Sequence, residues 1–243
     1  YDETTLLDVL GTIDIAKDRP GRALSYLDKI VQLRLDLPPA PQVLLDRMVD
    51  ESLEHVLEVN GIDLDREDSE RLGVAYHEHL RKVLVEPRHI KRYFGQIEAV
   101  YPLVGQEVDF VDFALITFIR TFYPGAYRLL RGSQAELTGT EFLVANKPTP
   151  EQRIDQWRSR LTSPEVGLSD GAADNALGVL AKLFPPLARY GGGRAAAKRI
   201  GSSEYFGRYL YLAVPPDDVS DAEVSAALDE ARTGAPGDAV ERL

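Results

Sequence analysis

Apolar residues recur along most of this chain at intervals of three and four, the spacing of one helix face. Leu45, Met48, Val49, Leu53, Val56 and Leu57 form such a stripe over residues 42–59, and Asn60-Gly61 follows as a helix stop. A second stripe, Leu72, Ala75, Tyr76, Leu80 and Val83, predicts a helix over 68–84. Pro87 stands at a first-turn position for a third helix over 88–101. Asp109 is a cap for a fourth that ends at Tyr123, with Phe113, Ile116, Phe118, Ile119 and Phe122 as its buried face. Pro124-Gly125 breaks that helix before a short one to Arg131, and 132–148 reads as loop. Further helices are expected over 151–161, behind Pro150, and over 174–187, broken at Pro185-Pro186. Two more are expected over 203–212 and over 221–232, the last capped by Ser220.

One convincing segment has the period of a strand. Leu33, Leu35 and Leu37 alternate with Gln32, Arg34 and Asp36, and Pro38-Pro39 ends the run. Ahead of it lie a helix-like stretch over 3–10 and a turn at Pro20-Gly21. Tyr190-Gly-Gly-Gly193 reads as a flexible joint, and the small, polar tail beyond Gly234 reads as disordered. No repeat with a period of 20–50 residues is present. The pattern therefore predicts a mainly α chain with one strand near its N-terminus.

Composition narrows the chemistry. The 243 residues carry 28 Lys and Arg against 39 Asp and Glu, a formal net charge of −11. So acidic a chain has no general attraction to nucleic acid or anionic lipid. There is no cysteine, which excludes disulfides, thiolate catalysis and Cys-based metal sites. The most apolar stretch, 110–130, is interrupted by Asp112, Arg120, Pro124 and Arg128, so no transmembrane segment is expected. The chain opens on Tyr1 rather than Met, from which a longer natural chain is expected.

Among the chemically suggestive groups, Arg88, Lys91 and Arg92 lie at the start of the helix behind Pro87. A helix N-terminus attracts phosphate through its free N–H groups and dipole, and a guanidinium there adds a two-pronged donor. Cations at that end oppose the dipole, so an anionic ligand is one way to compensate them. The alternative is a solvated basic face paired with Glu86 or Glu98. His77-Glu78-His79 is no zinc motif, because residues two apart face different sides of a helix. Residues 191–198 lack the Gly-Lys-Ser/Thr ending of a phosphate loop. Trp157 reads as a core anchor.

Three segments carry a resemblance. Glu86-Pro-Arg-His-Ile-Lys-Arg92, continued by Tyr93-Phe94, is similar to a motif of the KAP-family P-loop NTPases, Asn-Pro-Arg-x-hydrophobic-Lys-Arg-aromatic-hydrophobic-Asn. It departs from that motif at Glu86 and Gly95. Tyr26-Leu-Asp-Lys-Ile-Val-Gln32 and the strand behind it resemble the family's last sheet strand, with Asp28 in place of Glu. Glu204-Tyr-Phe-Gly-Arg-Tyr-Leu210 resembles a C-terminal signature of bacterial members, departing at Gly207 and Leu210; an aromatic cluster locking a terminal helix is the plainer account of it. Tyr1-Asp2 resembles the end of a sheet strand that carries a first-sensor Asp.

The resemblance implies a helical lid and bundle whose one N-terminal strand would complete the sheet of an upstream α/β P-loop NTPase core. It divides the chain into the edge of that core (1–40), a helical lid (41–132) and a C-terminal helical region with a flexible tail (133–243). It implies an ATPase acting as a switch, with links in bacteria to defence against phage. ATP and Mg²⁺ are expected at a P-loop and Walker B acids that this sequence lacks, so the segment alone should neither bind metal nor hydrolyse ATP. Arg88 takes the sensor role by resemblance, and Lys91, Lys29 and Asp2 join it as nucleotide-binding candidates; for Lys29, capping the preceding helix is the alternative. Protein partners or self-assembly and a cytoplasmic location are expected, with any membrane association through parts not in this chain. The competing function is a non-enzymatic helical interaction module.

Overall fold

The computed structural model describes residues 38–140, 148–189, 197–215 and 218–233, together with Val9 and Lys29. Contacts divide the chain into two compact units, Tyr1–Pro39 and Ala40–Leu243. The helix expected over 3–10 (apart from Val9), the predicted strand over residues 30–37, the turn at Pro20-Gly21, the joint at 190–193 and the tail beyond Gly234 lie outside the described residues.

The second unit is all helix among the described residues, as the 3.6-residue stripes predict. Its helices are α1 (Gln42–Asn60), α2 (Arg66–Glu78), α3 (Pro87–Val104), α4 (Phe110–Phe122) and α5 (Pro124–Leu130). They continue with α6 (Gln134–Leu137), α7 (Pro150–Leu161), α8 (Asp170–Leu183), α9 (Phe206–Tyr211) and α10 (Asp221–Thr233). Short 3₁₀ turns lie at Leu80–Lys82 and Pro185–Leu187.

The spine is α4. A helix that is apolar on every side has to be buried on every side, and every residue over 111–119 is shielded from solvent. Around it pack α2, α3, α5 and α8, while α1 lies on α3 and α7 on α8. Aromatic edges lock α3 to the spine: Tyr101 meets Phe110 and Phe113 at ring-centroid distances of 5.3 and 5.2 Å. The Tyr93 hydroxyl donates to the Ala114 carbonyl at 3.0 Å.

Caps set the ends. Asp109 accepts from the Asp112 amide at 2.8 Å and opens α4, as its position predicts. Gly61 closes α1 at φ 61°, a left-handed conformation that glycine adopts without strain. Thr149 and Gln152 form a reciprocal capping box before α7. Ser220 accepts from the Glu223 amide at 3.1 Å at the start of α10.

Several boundaries differ from the sequence reading, among them the helix expected over 174–187, which runs Asp170–Leu183, and the one expected over 203–212, which runs Phe206–Tyr211. The helix expected over 68–84 starts earlier, at Arg66 behind an Asp65 cap, and breaks at His79, whose φ −132° and ψ −54° leave the helical course. His79 is drawn to a tertiary partner, Asn175 of α8, at 3.2 Å. The third helix runs through Pro102 to Val104, whose side chain is buried. Within the stretch read as loop, α6 forms and buries Leu137.

Candidate functional site

The basic segment behind Pro87 forms the first turns of α3. Glu86 is extended (φ −141°, ψ 144°) and its carbonyl accepts from the amides of His89 at 3.0 Å and Ile90 at 3.3 Å. Ile90, Tyr93, Phe94 and Ile97 take the inner face. The 3.6-residue period then turns Arg88, Lys91 and Arg92 outward, and all three are exposed.

These three cations have different fates. Arg92 donates to the Thr121 carbonyl at 3.0 Å, and its guanidinium lies 5.0 Å from the centre of the Phe122 ring. It thus fastens α3 to the C-terminal end of α4, where a cation is favoured by the helix dipole. Arg88 keeps 79% of its side chain in solvent and, among the described residues, pairs only with Glu86, at 2.5 Å. Glu98, the other acid considered for this face, lies 3.7 Å from His55 instead. Lys91 is exposed on the same turn as Arg88. Gly95 also faces outward, since a Cβ built there meets nothing within 4 Å.

Of the four sequence candidates, the structure places Arg88 and Lys91 together on this turn. Lys29 is exposed, and its neighbours lie outside the described residues, as does Asp2.

Two charged clusters escaped sequence reasoning. Asp112, which broke the apolar run 110–130, has no exposed surface. It accepts from Arg71 at 2.8 Å, Arg199 at 2.7 Å and the Ile200 amide at 3.0 Å. Burial pushes its carboxyl up from the ordinary range, opposed by the two guanidinium groups. The cluster ties α2 and the 197–200 segment to the amino-terminal turn of α4.

Arg208, in the signature that forms α9, is the second hub. Only 4% of its side chain is exposed. It donates to Asp218, Asp221 and the Val219 carbonyl, each at 3.0 Å, and to Glu107. Its guanidinium sits 4.5 Å from the Tyr205 ring. Glu107 in turn accepts from the amides of Asp221 at 2.9 Å and Ala222 at 3.3 Å, an acid on the N-terminus of α10. The aromatic residues of the signature behave as expected: Phe206, Tyr209 and Leu210 are buried. A lone cation inside an aromatic run, with acids ten and thirteen residues on, was the available signal.

His79 shows how closely α2 and α8 approach. Its ring lies over Gly178, where an added Cβ would come within 2.1 Å of it. Burial holds its pKa below the usual histidine value, with the Asn175 hydrogen bond opposing.

The family model described as the KAP family P-loop domain matches residues 1–104. Over these residues, under half of its length, the chain is similar to the KAP family. No curated protein and no solved structure matches it. The match to the KAP domain ends at Val104, the last residue of α3, yet the inner face of α3 is completed by α4. The matched helices α1 to α3 and the helices after them share one core.

The similarity to a P-loop domain points to nucleotide and Mg²⁺ use by proteins of that family. The described residues contain no grouping of three or more acidic or histidine side chains suited to a metal ion. The sequence contains no Gly-x-x-x-x-Gly-Lys-Ser/Thr loop. Among the described residues, the basic turn of α3 offers one exposed guanidinium and one exposed amine, Arg88 and Lys91. No helix among the described residues is long and apolar enough to cross a membrane.

Proposed function

We propose that this chain is the helical lid and signalling part of a KAP-type ATPase that acts as a molecular switch, with Arg88 as the arm that senses nucleotide. The observation that carries this reading is the combination of the family match with the state of Arg88. That arginine sits in the segment resembling the family's sensor motif, and it is exposed with a single surface partner among the described residues. An arginine serving only packing would be buried and multiply bonded, as Arg208 is. Arg88 can exchange Glu86 for a phosphate at little cost, because an exposed ion pair contributes only about 0–1 kcal/mol.

In this reading ATP and Mg²⁺, held by a P-loop and Walker B acids that this sequence lacks, supply the anionic γ-phosphate. The chain supplies the response. Arg88, with Lys91 beside it, presents donors from the first turns of α3, and the inner face of α3 transmits its position to α4. Lys29 and Asp2 are assigned to the same nucleotide edge by resemblance. The biological setting we favour is bacterial antiphage defence in the cytoplasm, with protein partners or self-assembly reading the lid's position.

The test is Arg88→Ala in the full-length ATPase. Turnover should fall at least tenfold, which corresponds to about 1.4 kcal/mol of transition-state stabilisation. The melting temperature should stay put, since the side chain buries little. Unchanged turnover would sink the sensor assignment.

A further inference from the structure

A groove of about 640 Å³ runs between α1 and α2. Leu53 and Leu57 of α1 form one wall, Leu72 of α2 the other, and Phe94 and Ile97 of α3 the floor. Its rim is acidic: Asp46 and Asp50 stand on α1 and Asp63 in the turn after it, and among the described residues no lysine or arginine lines it. Asp46 is already engaged by Arg81, at 3.0 and 2.6 Å, and by the Tyr76 hydroxyl at 2.7 Å. Asp50 and Asp63 are exposed and form no ion pair with another described residue.

The shape is that of a trough. From Asp46 to Leu57 the wall rises through about three turns of α1, roughly 17 Å at 1.5 Å per residue. Such a length suits a helix presenting apolar residues at i, i+3 or i+4, and i+7. At mid-length stands Gly73 of α2, where an added Cβ meets nothing within 4 Å. Glycine in a helix interior is unfavourable unless a close approach uses it, and here the space before it is open.

We propose that this groove docks an amphipathic helix of a partner protein, with its apolar stripe against Leu53 and Phe94 and lysines or arginines at its flanks against Asp50 and Asp63. Charge complementarity selects this occupant. A second copy of this chain, at a formal net charge of −11, would bring acid to an acidic rim, whereas a basic helix is steered toward it. The proposal is independent of the ATPase reading, since binding requires no nucleotide.

Two synthetic helices with the same leucine stripe, one flanked by lysines and the other by glutamates, provide the test. Binding to the full-length protein is read by fluorescence anisotropy in low and high salt. The lysine-flanked helix should bind saturably, weaken with salt, and outbind its glutamate-flanked twin at least tenfold. Gly73→Leu, which fills the trough, and Asp50→Lys, which reverses the rim, should each weaken it at least tenfold while the melting temperature is kept. The proposal is overturned if the lysine-flanked helix fails to bind, if both helices bind equally, or if neither variant changes binding. It is equally overturned if tryptamine, a small apolar amine, displaces the helix at stoichiometric levels. A dimer in sedimentation that Gly73→Leu dissociates would put a second copy in the groove, and would overturn it too.

Discussion

Arg88 and Arg208 each sit beside carboxylates, and the fold treats them in opposite ways. Arg208 is buried beside Glu107, which is also buried, and half-buried Asp218 and Asp221, so removing it leaves Glu107 a buried acid without its counter-charge. Arg208→Ala should cost on the order of 3–5 kcal/mol in urea-unfolding free energy, and should loosen α10, whose N-terminus the cluster holds. Arg88→Ala removes a solvated pair and should shift stability by under about 1 kcal/mol. His79 adds a pH signature. Its folded pKa lies below the ordinary histidine value of 6.5, so the unfolded chain takes up the proton first as pH falls. The stability its neutral ring contributes is present above about pH 6.5 and is lost as pH drops through the lower folded value. Thermal melts from pH 8 to 5 should decline more in the native protein than in His79→Gln.

Helices were legible where a stripe and a punctuating residue agreed. The stripe of α1 and its Gly61 stop, the Pro87 start of α3 and the Asp109 cap of α4 all appear where the sequence puts them. Competition from other parts of the chain left no local mark. The break at His79 answers to Asn175, 96 residues away, and no neighbouring residue encodes that pull. The extension of α3 through Pro102 follows from the burial of Val104. The basic face of α3 was visible in sequence, but not that Arg92 would turn to Thr121 while Arg88 stayed in solvent. Asp112 read as an interruption because a one-dimensional pattern does not reveal that Arg71 and Arg199 converge on it. At this scale the capping box is testable: Thr149→Ala should destabilise the protein by about 1 kcal/mol. Gly73→Ala should stabilise it by about 0.5–1 kcal/mol, because the new methyl meets open space and the helix gains propensity.

At the scale of the whole molecule, the buried helix α4 joins the family-matched segment to the region beyond it. Tyr93, Tyr101 and Arg92 all connect α3 to α4, and α4 packs against α2 and α8. In the switch we propose, these contacts are the route by which a displacement of the α3 N-terminus would reach the rest of the helical unit. The most direct test is hydrogen exchange on the full-length protein with and without ATP and Mg²⁺, followed over α3 and α4. Nucleotide should slow exchange in the first turns of α3, over residues 88–92, and Arg88→Ala should abolish this change. Identical exchange in both states, under conditions where ATP is demonstrably bound, would contradict the switch.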